Sequence, residues 1–92
     1  MFALFLQGRA VEYEVEYELS HRLDACGLFC PEPVMLLHRA VREMATGEVL
    51  ELIASDPSTR RDVPRFCLFL QHELLVNEPR GQDFCYHIRK RG

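Results

Sequence analysis

Cys26-Gly27-Leu28-Phe29-Cys30-Pro31-Glu32-Pro33 is the stretch on which the fold turns. A glycine-bearing loop runs into two closely spaced prolines. Proline suits the first helical turn, where backbone N–H groups have no intrahelical acceptor. The stretch therefore reads as a loop entering a helix, with Cys30 at or next to the N-cap. Downstream, Val34, Leu37, Val41 and Met44 recur 3, 4 and 3 residues apart, the stripe of one buried helix face. This predicts a helix from about Pro31 to Ala45, stopped by Thr46-Gly47.

A thiol at a helix start has a chemical consequence. Unpaired N–H groups and the positive end of the helix dipole favour the thiolate, the form that attacks sulfur. The effect is about 0.3–1 kcal/mol, less than one pKa unit at roughly 1.36 kcal/mol per unit. Glu32 opposes it, and no His, Lys or Arg lies within the motif. His38, eight residues on, is about 12 Å away along a helix axis, too far to form a Cys–His pair. The local chemistry describes a presented cysteine whose activation a partner completes. The competing reading is a small buried hydrophobe.

Further along, Glu48–Ala54 is too apolar for a half-exposed strand and reads as an interior one. Asp56-Pro57-Ser58-Thr59 then opens a second helix, with Ser58 or Thr59 as cap and Asp62 as the acid of a capping box. Val63, Phe66, Cys67 and Leu70 supply its buried stripe, and Pro64 comes early enough to be tolerated. Glu73–Glu78 is a strand, Pro79–Gln82 a turn, and Asp83–Arg89 the closing strand. Upstream, Val11, Tyr13, Val15, Tyr17 and Leu19 alternate with Glu12, Glu14, Glu16 and Glu18, a period of two that predicts a strand with one charged face. Residues 1–10 carry no usable period.

Leu23–Met35, with its CGLFCPEPVM core, resembles the opening of the TusA family of bacterial sulfur carriers. Ala54–Cys67 is similar to that family's middle signature, and Tyr86–Lys90 to its close. The resemblance spans residues 22–92, leaving 1–21 as an N-terminal extension. It implies a first strand at Arg22–Ala25. The element order is then β-α-β-α-β-β, an α+β two-layer sandwich with a mixed four-stranded sheet and both helices on one face. Right-handed crossovers make the first two strands parallel, so the loops carrying Cys30 and Asp56–Arg61 meet at their carboxyl ends.

The resemblance also implies a function. Cys30 would take persulfide sulfur from an IscS-like cysteine desulfurase and pass it to a TusBCD-like relay, for 2-thiouridine at the tRNA wobble position. Glu32 and Met35 are candidates for partner docking. Asp56, Arg60 and Arg61 are supporting polar residues, the arginines as attractors of a persulfide anion or an acidic partner. No cofactor or metal is expected. A zinc set of Cys26, Cys30 and His21 or His38 lacks a second paired-ligand motif. Cys26 is loop packing or a resolving thiol, Cys67 is core, and Cys85 faces away from Phe84 and Tyr86 without an evident role.

The totals narrow the field. Ninety-two residues make one small domain. A net charge of −3 and a pI near 5.8 argue against a dedicated nucleic-acid binder without excluding a local basic patch; the short basic tail Arg89–Arg91 reads as a solvated terminus, and direct tRNA binding is not expected. The apolar start, Met1–Leu6, is far short of the roughly 20 residues of a membrane span. The cysteines read as reduced thiols, so the expected location is the cytoplasm. Two rival readings stand beside the tRNA relay. One is an RNA-binding or regulatory module, and the other is the same carrier chemistry serving molybdenum-cofactor synthesis or sulfur oxidation.

Overall fold

The computed structural model describes residues 17–92. In chain order the elements are β1 (His21–Ala25), α1 (Glu32–Arg42), β2 (Val49–Ala54), α2 (Thr59–Leu70), β3 (Glu73–Arg80) and β4 (Asp83–Arg89). The sheet order is β1-β2-β4-β3, with β1 and β2 parallel and β4 antiparallel to both of its neighbours. This is the expected mixed sheet, with the last strand inserted at its centre.

Period-two side chains of the central strands divide the sheet into two faces. Leu50, Leu52 and Ala54 of β2 and Tyr86 and Ile88 of β4 pack with Leu37 and Val41 of α1 and Val63, Phe66 and Cys67 of α2. Each large apolar side chain so buried contributes about 1.5–3 kcal/mol. That shared core holds both helices on one face. The opposite face carries Glu51, Cys85 and His87, joined by hydrogen bonds.

Two element ends differ from the sequence reading by more than one residue, each for a local reason. The first helix ends at Arg42 rather than at Ala45. Met44 N–H turns back to the Val41 carbonyl, and the Glu48 carboxylate captures Ala45 N–H at 2.9 Å. The third strand continues through Pro79 to Arg80, so the turn shrinks to Gly81-Gln82. Pro79 is tolerated because, among the described residues, β3 is the edge strand of the sheet. The strand expected over Val11–Leu19 lies mainly outside the described residues, and its last three, Tyr17–Leu19, are not in a strand.

Candidate functional site

The loops after β1 and β2 are stitched together by side chains of the second. Ser55 Oγ accepts the Gly27 N–H at 2.8 Å. The Asp56 carboxylate accepts three hydrogen bonds, from Cys30 N–H at 2.7 Å, Ser58 hydroxyl at 2.8 Å and Ser58 N–H at 3.1 Å. Those bonds hold its pKa below the usual carboxylate range, the Ser58 backbone N–H being the largest cause and Cys30 N–H the next. Gly27, at φ +85, gives the loop the left-handed turn that folds Cys30 toward β2.

Cys30 is exposed, and Pro31 rather than Cys30 is the N-cap of α1. The thiol points to the start of α2, where its Sγ donates to Asp62 Oδ2 at 3.4 Å. Asp62 is therefore not a capping-box acid. Its carboxylate instead faces the thiol and accepts the Arg61 Nε–H at 3.0 Å. Ser58, the N-cap of α2, makes no side-chain cap bond, because its hydroxyl is committed to Asp56.

This placement reverses the electrostatic expectation. The Cys30 thiol is pushed above its ordinary value, first by donating to the Asp62 carboxylate, then by desolvation and by that carboxylate's charge. Ser58 and Arg61 pull in the other direction without prevailing. The nearby negative charge outweighs the helix start, whose effect fades within one turn. In the free protein Asp62 therefore disfavours the Cys30 thiolate.

The remaining candidates separate. Arg61 joins the site through Asp62, whereas the Arg60 guanidinium sits over the Phe84 ring, 5.1 Å from its centroid. Glu32 and Met35 lie on the exposed first turn of α1, with Met35 60% accessible. Neighbouring Phe29 is 69% accessible, and Phe69 on α2 is 88% accessible. Between the helices runs an apolar groove of about 340 Å³, walled by Pro31, Val34, Phe66, Phe69 and Leu70 and reaching Asp62. Sequence reasoning missed this groove, although Phe69, an apolar residue off the buried stripe of α2, was its signal.

The two histidines weighed as zinc ligands have other partners. His21 bonds Glu48 at 2.9 Å, and His38 packs edge-on against Phe66. Cys26 is exposed, with a thiol pushed up to about 11 by desolvation and then by Asp24. Cys67 is buried in the core, as expected of its stripe position. All four cysteines are free.

The model of a family described as sulfurtransferase TusA matches residues 21–90. The chain belongs to the TusA family. The sulfur carrier protein TusA of Pseudomonas entomophila is 61% identical over 69 residues, covering 75% of this chain and 86% of its own. That of Pseudomonas aeruginosa is 56% identical, covering 75% and 87%. A solved SirA-like protein from Desulfitobacterium hafniense shares the fold, with a TM-score of 0.69 at 19% identity over 78% of this chain and 99% of its own. Among the described residues no helix is long and apolar enough to cross a membrane.

Proposed function

We propose that this protein is a cytoplasmic sulfur carrier in which Cys30 accepts persulfide sulfur from an IscS-like cysteine desulfurase. It then yields that sulfur to a TusBCD-like relay that serves 2-thiouridine formation at the tRNA wobble position. Residues 22–92 are the carrier domain and 1–21 an extension. The observation that carries the reading is the exposed Cys30 thiol, with its N–H held by Asp56 and its Sγ by Asp62, both from the second motif.

The chemistry is thiol exchange and needs no external oxidant. Cys30 loses its proton and its sulfur attacks the outer sulfur of the donor's cysteine persulfide. A new S–S bond forms at Cys30 as the donor's S–S bond breaks, and the donor cysteine leaves as a thiolate that takes up a proton. The products are Cys30 persulfide and a reduced donor. In the second step an acceptor thiolate attacks the outer sulfur of that persulfide and Cys30 returns as a thiol.

Asp62 gives the carrier a resting state. Its carboxylate keeps the thiol protonated and so less reactive until a docking partner draws Asp62 away or brings a cation beside it. Arg61, already on Asp62, is the internal cation suited to that exchange. Phe29, Glu32 and Met35, exposed and within five residues of Cys30 in the chain, supply the docking surface.

Incubation with a cysteine desulfurase and radiolabelled cysteine tests the assignment. Label should appear on the protein, vanish in Cys30→Ser, and persist in Cys26→Ser and Cys85→Ser. Unchanged labelling of Cys30→Ser overturns it.

A further inference from the structure

The sheet face turned away from the helices holds a second group of sulfur, nitrogen and oxygen donors that the relay does not use. Glu51 on β2 lies opposite His87 on β4, and Cys85 is two residues before His87 on the same face. One donor atom from each lies within 4.8 Å of the other two. Glu51 Oε2 is 3.0 Å from His87 Nε2 and 3.7 Å from Cys85 Sγ. A tetrahedral ion with Zn–O and Zn–N bonds of about 2.0–2.1 Å and Zn–S of about 2.3 Å sets its ligand atoms about 3.3–3.6 Å apart. The observed spacings bracket that range.

We propose that Glu51, Cys85 and His87 bind one divalent ion of the zinc class. Both strands are central in the sheet, so the ligand backbones are fixed. Cys85 and His87 are 0% and 1% exposed, which suits a site closed on its protein side. Thiolate, imidazole and carboxylate together select zinc over magnesium or calcium. The Tyr17 hydroxyl lies 2.8 Å from His87 Nδ1, the outer partner that fixes the imidazole and directs Nε2 at the ion. A cleft of about 430 Å³, bordered by Asp24 and Asp83, opens onto Glu51 and gives a cation its entry.

The nearby positive charge is the main opposing factor. Arg80 lies 3.8 Å from Glu51 Oε2, with its other amino group on Glu78 at 3.3 Å, and Arg22 approaches Glu51 at 4.0 Å. Entry of the ion with loss of one proton adds one net positive charge here, so Arg80 must give up Glu51 and keep Glu78, its other carboxylate partner at 3.3 Å. One proton leaves, from Cys85 S–H, while the His87 ring proton resides on Nδ1 toward Tyr17 and frees Nε2 for the ion.

The test uses the full chain carrying Cys26→Ser and Cys30→Ser, so failure of the sulfur relay has no bearing on it. After chelation, titration with Co²⁺ is expected to saturate at one equivalent, with a thiolate-to-cobalt charge-transfer band and tetrahedral visible bands that Zn²⁺ removes. Cys85→Ser in that background should lose the charge-transfer band, and Tyr17→Phe should bind about 10–100-fold more weakly. Absence of the band in the parent overturns the proposal, as does its survival in Cys85→Ser. If circular dichroism shows Cys85→Ser unfolded, Glu51→Gln decides, with loss of saturation at one equivalent supporting the site and unchanged binding overturning it.

Discussion

Cys30 and Cys85 each donate to a carboxylate, and the two pairs have opposite surroundings. Cys30 reaches Asp62 at 3.4 Å on the exposed edge where two loops meet, whereas Cys85 reaches Glu51 at 3.7 Å inside the sheet face. Both thiols lie above their ordinary pKa, but for different first causes. For Cys30 it is the hydrogen bond to Asp62, and for Cys85, pushed up to about 11, it is burial. The contrast shows that a local thiol–carboxylate contact does not decide reactivity. A side chain that a docking partner can move leaves the thiol available, and a wall of packed strand does not.

The largest expected effect is kinetic. In native protein iodoacetamide should modify Cys30 at least about 10³-fold faster than Cys85, because Cys30 is exposed while Cys85 is 0% exposed and meets a reagent of that size only on local opening. Mass spectrometry of timed digests measures both rates in one sample. Comparable rates would break the comparison by showing that the far sheet face is open.

How far this contrast could be read from sequence depends on which interactions are periodic. The helices and the interior strand follow from stripes such as Val34, Leu37, Val41 and Met44, since burial repeats with the backbone. The meeting of the two loops follows from crossover handedness. Asp62 did not follow. An acid three residues after Thr59 has the same spacing whether it caps its own helix or turns to a thiol 32 residues away. The early end of α1 likewise depends on Glu48 reaching Ala45 N–H. Cys85 and His87 were legible as same-face residues, but their convergence on Glu51 depends on the β2–β4 register, which no local pattern encodes.

Removing each carboxylate separates the two pairs by stability. Glu51→Ala takes an acceptor from Cys85 and His87 and an ion-pair partner from Arg80, and it should cost about 1–3 kcal/mol in urea denaturation. Asp62→Ala should cost less, because its partners, Cys30 and Arg61, are exposed and regain water. Equal costs would mean that the site edge is as structural as the sheet face.

Titration separates the pairs more finely. Asp62→Asn should lower the pH midpoint of Cys30 alkylation, because the carboxylate that holds the proton is gone. Glu51→Gln should leave Cys85 still raised, since burial is its first cause. An unmoved Cys30 midpoint would remove Asp62 from the account of the resting state.

The smallest effect concerns Asp56, which joins the loops without touching sulfur. Its folded pKa is depressed, so its contribution to stability is fully present above the unfolded carboxylate value of about 3.9 and is lost as pH falls through the folded value. Asp56→Asn should therefore be less stable than the parent at neutral pH, with the gap closing in acid as the parent's carboxylate protonates. Chemical denaturation at a series of pH values measures that gap. Because Asp56 also accepts the Cys30 N–H, the same variant should loosen the Cys30 loop, read as faster exchange of that amide at neutral pH. A gap that does not change with pH would show that geometry alone, and not the charge on Asp56, ties the second loop to the first.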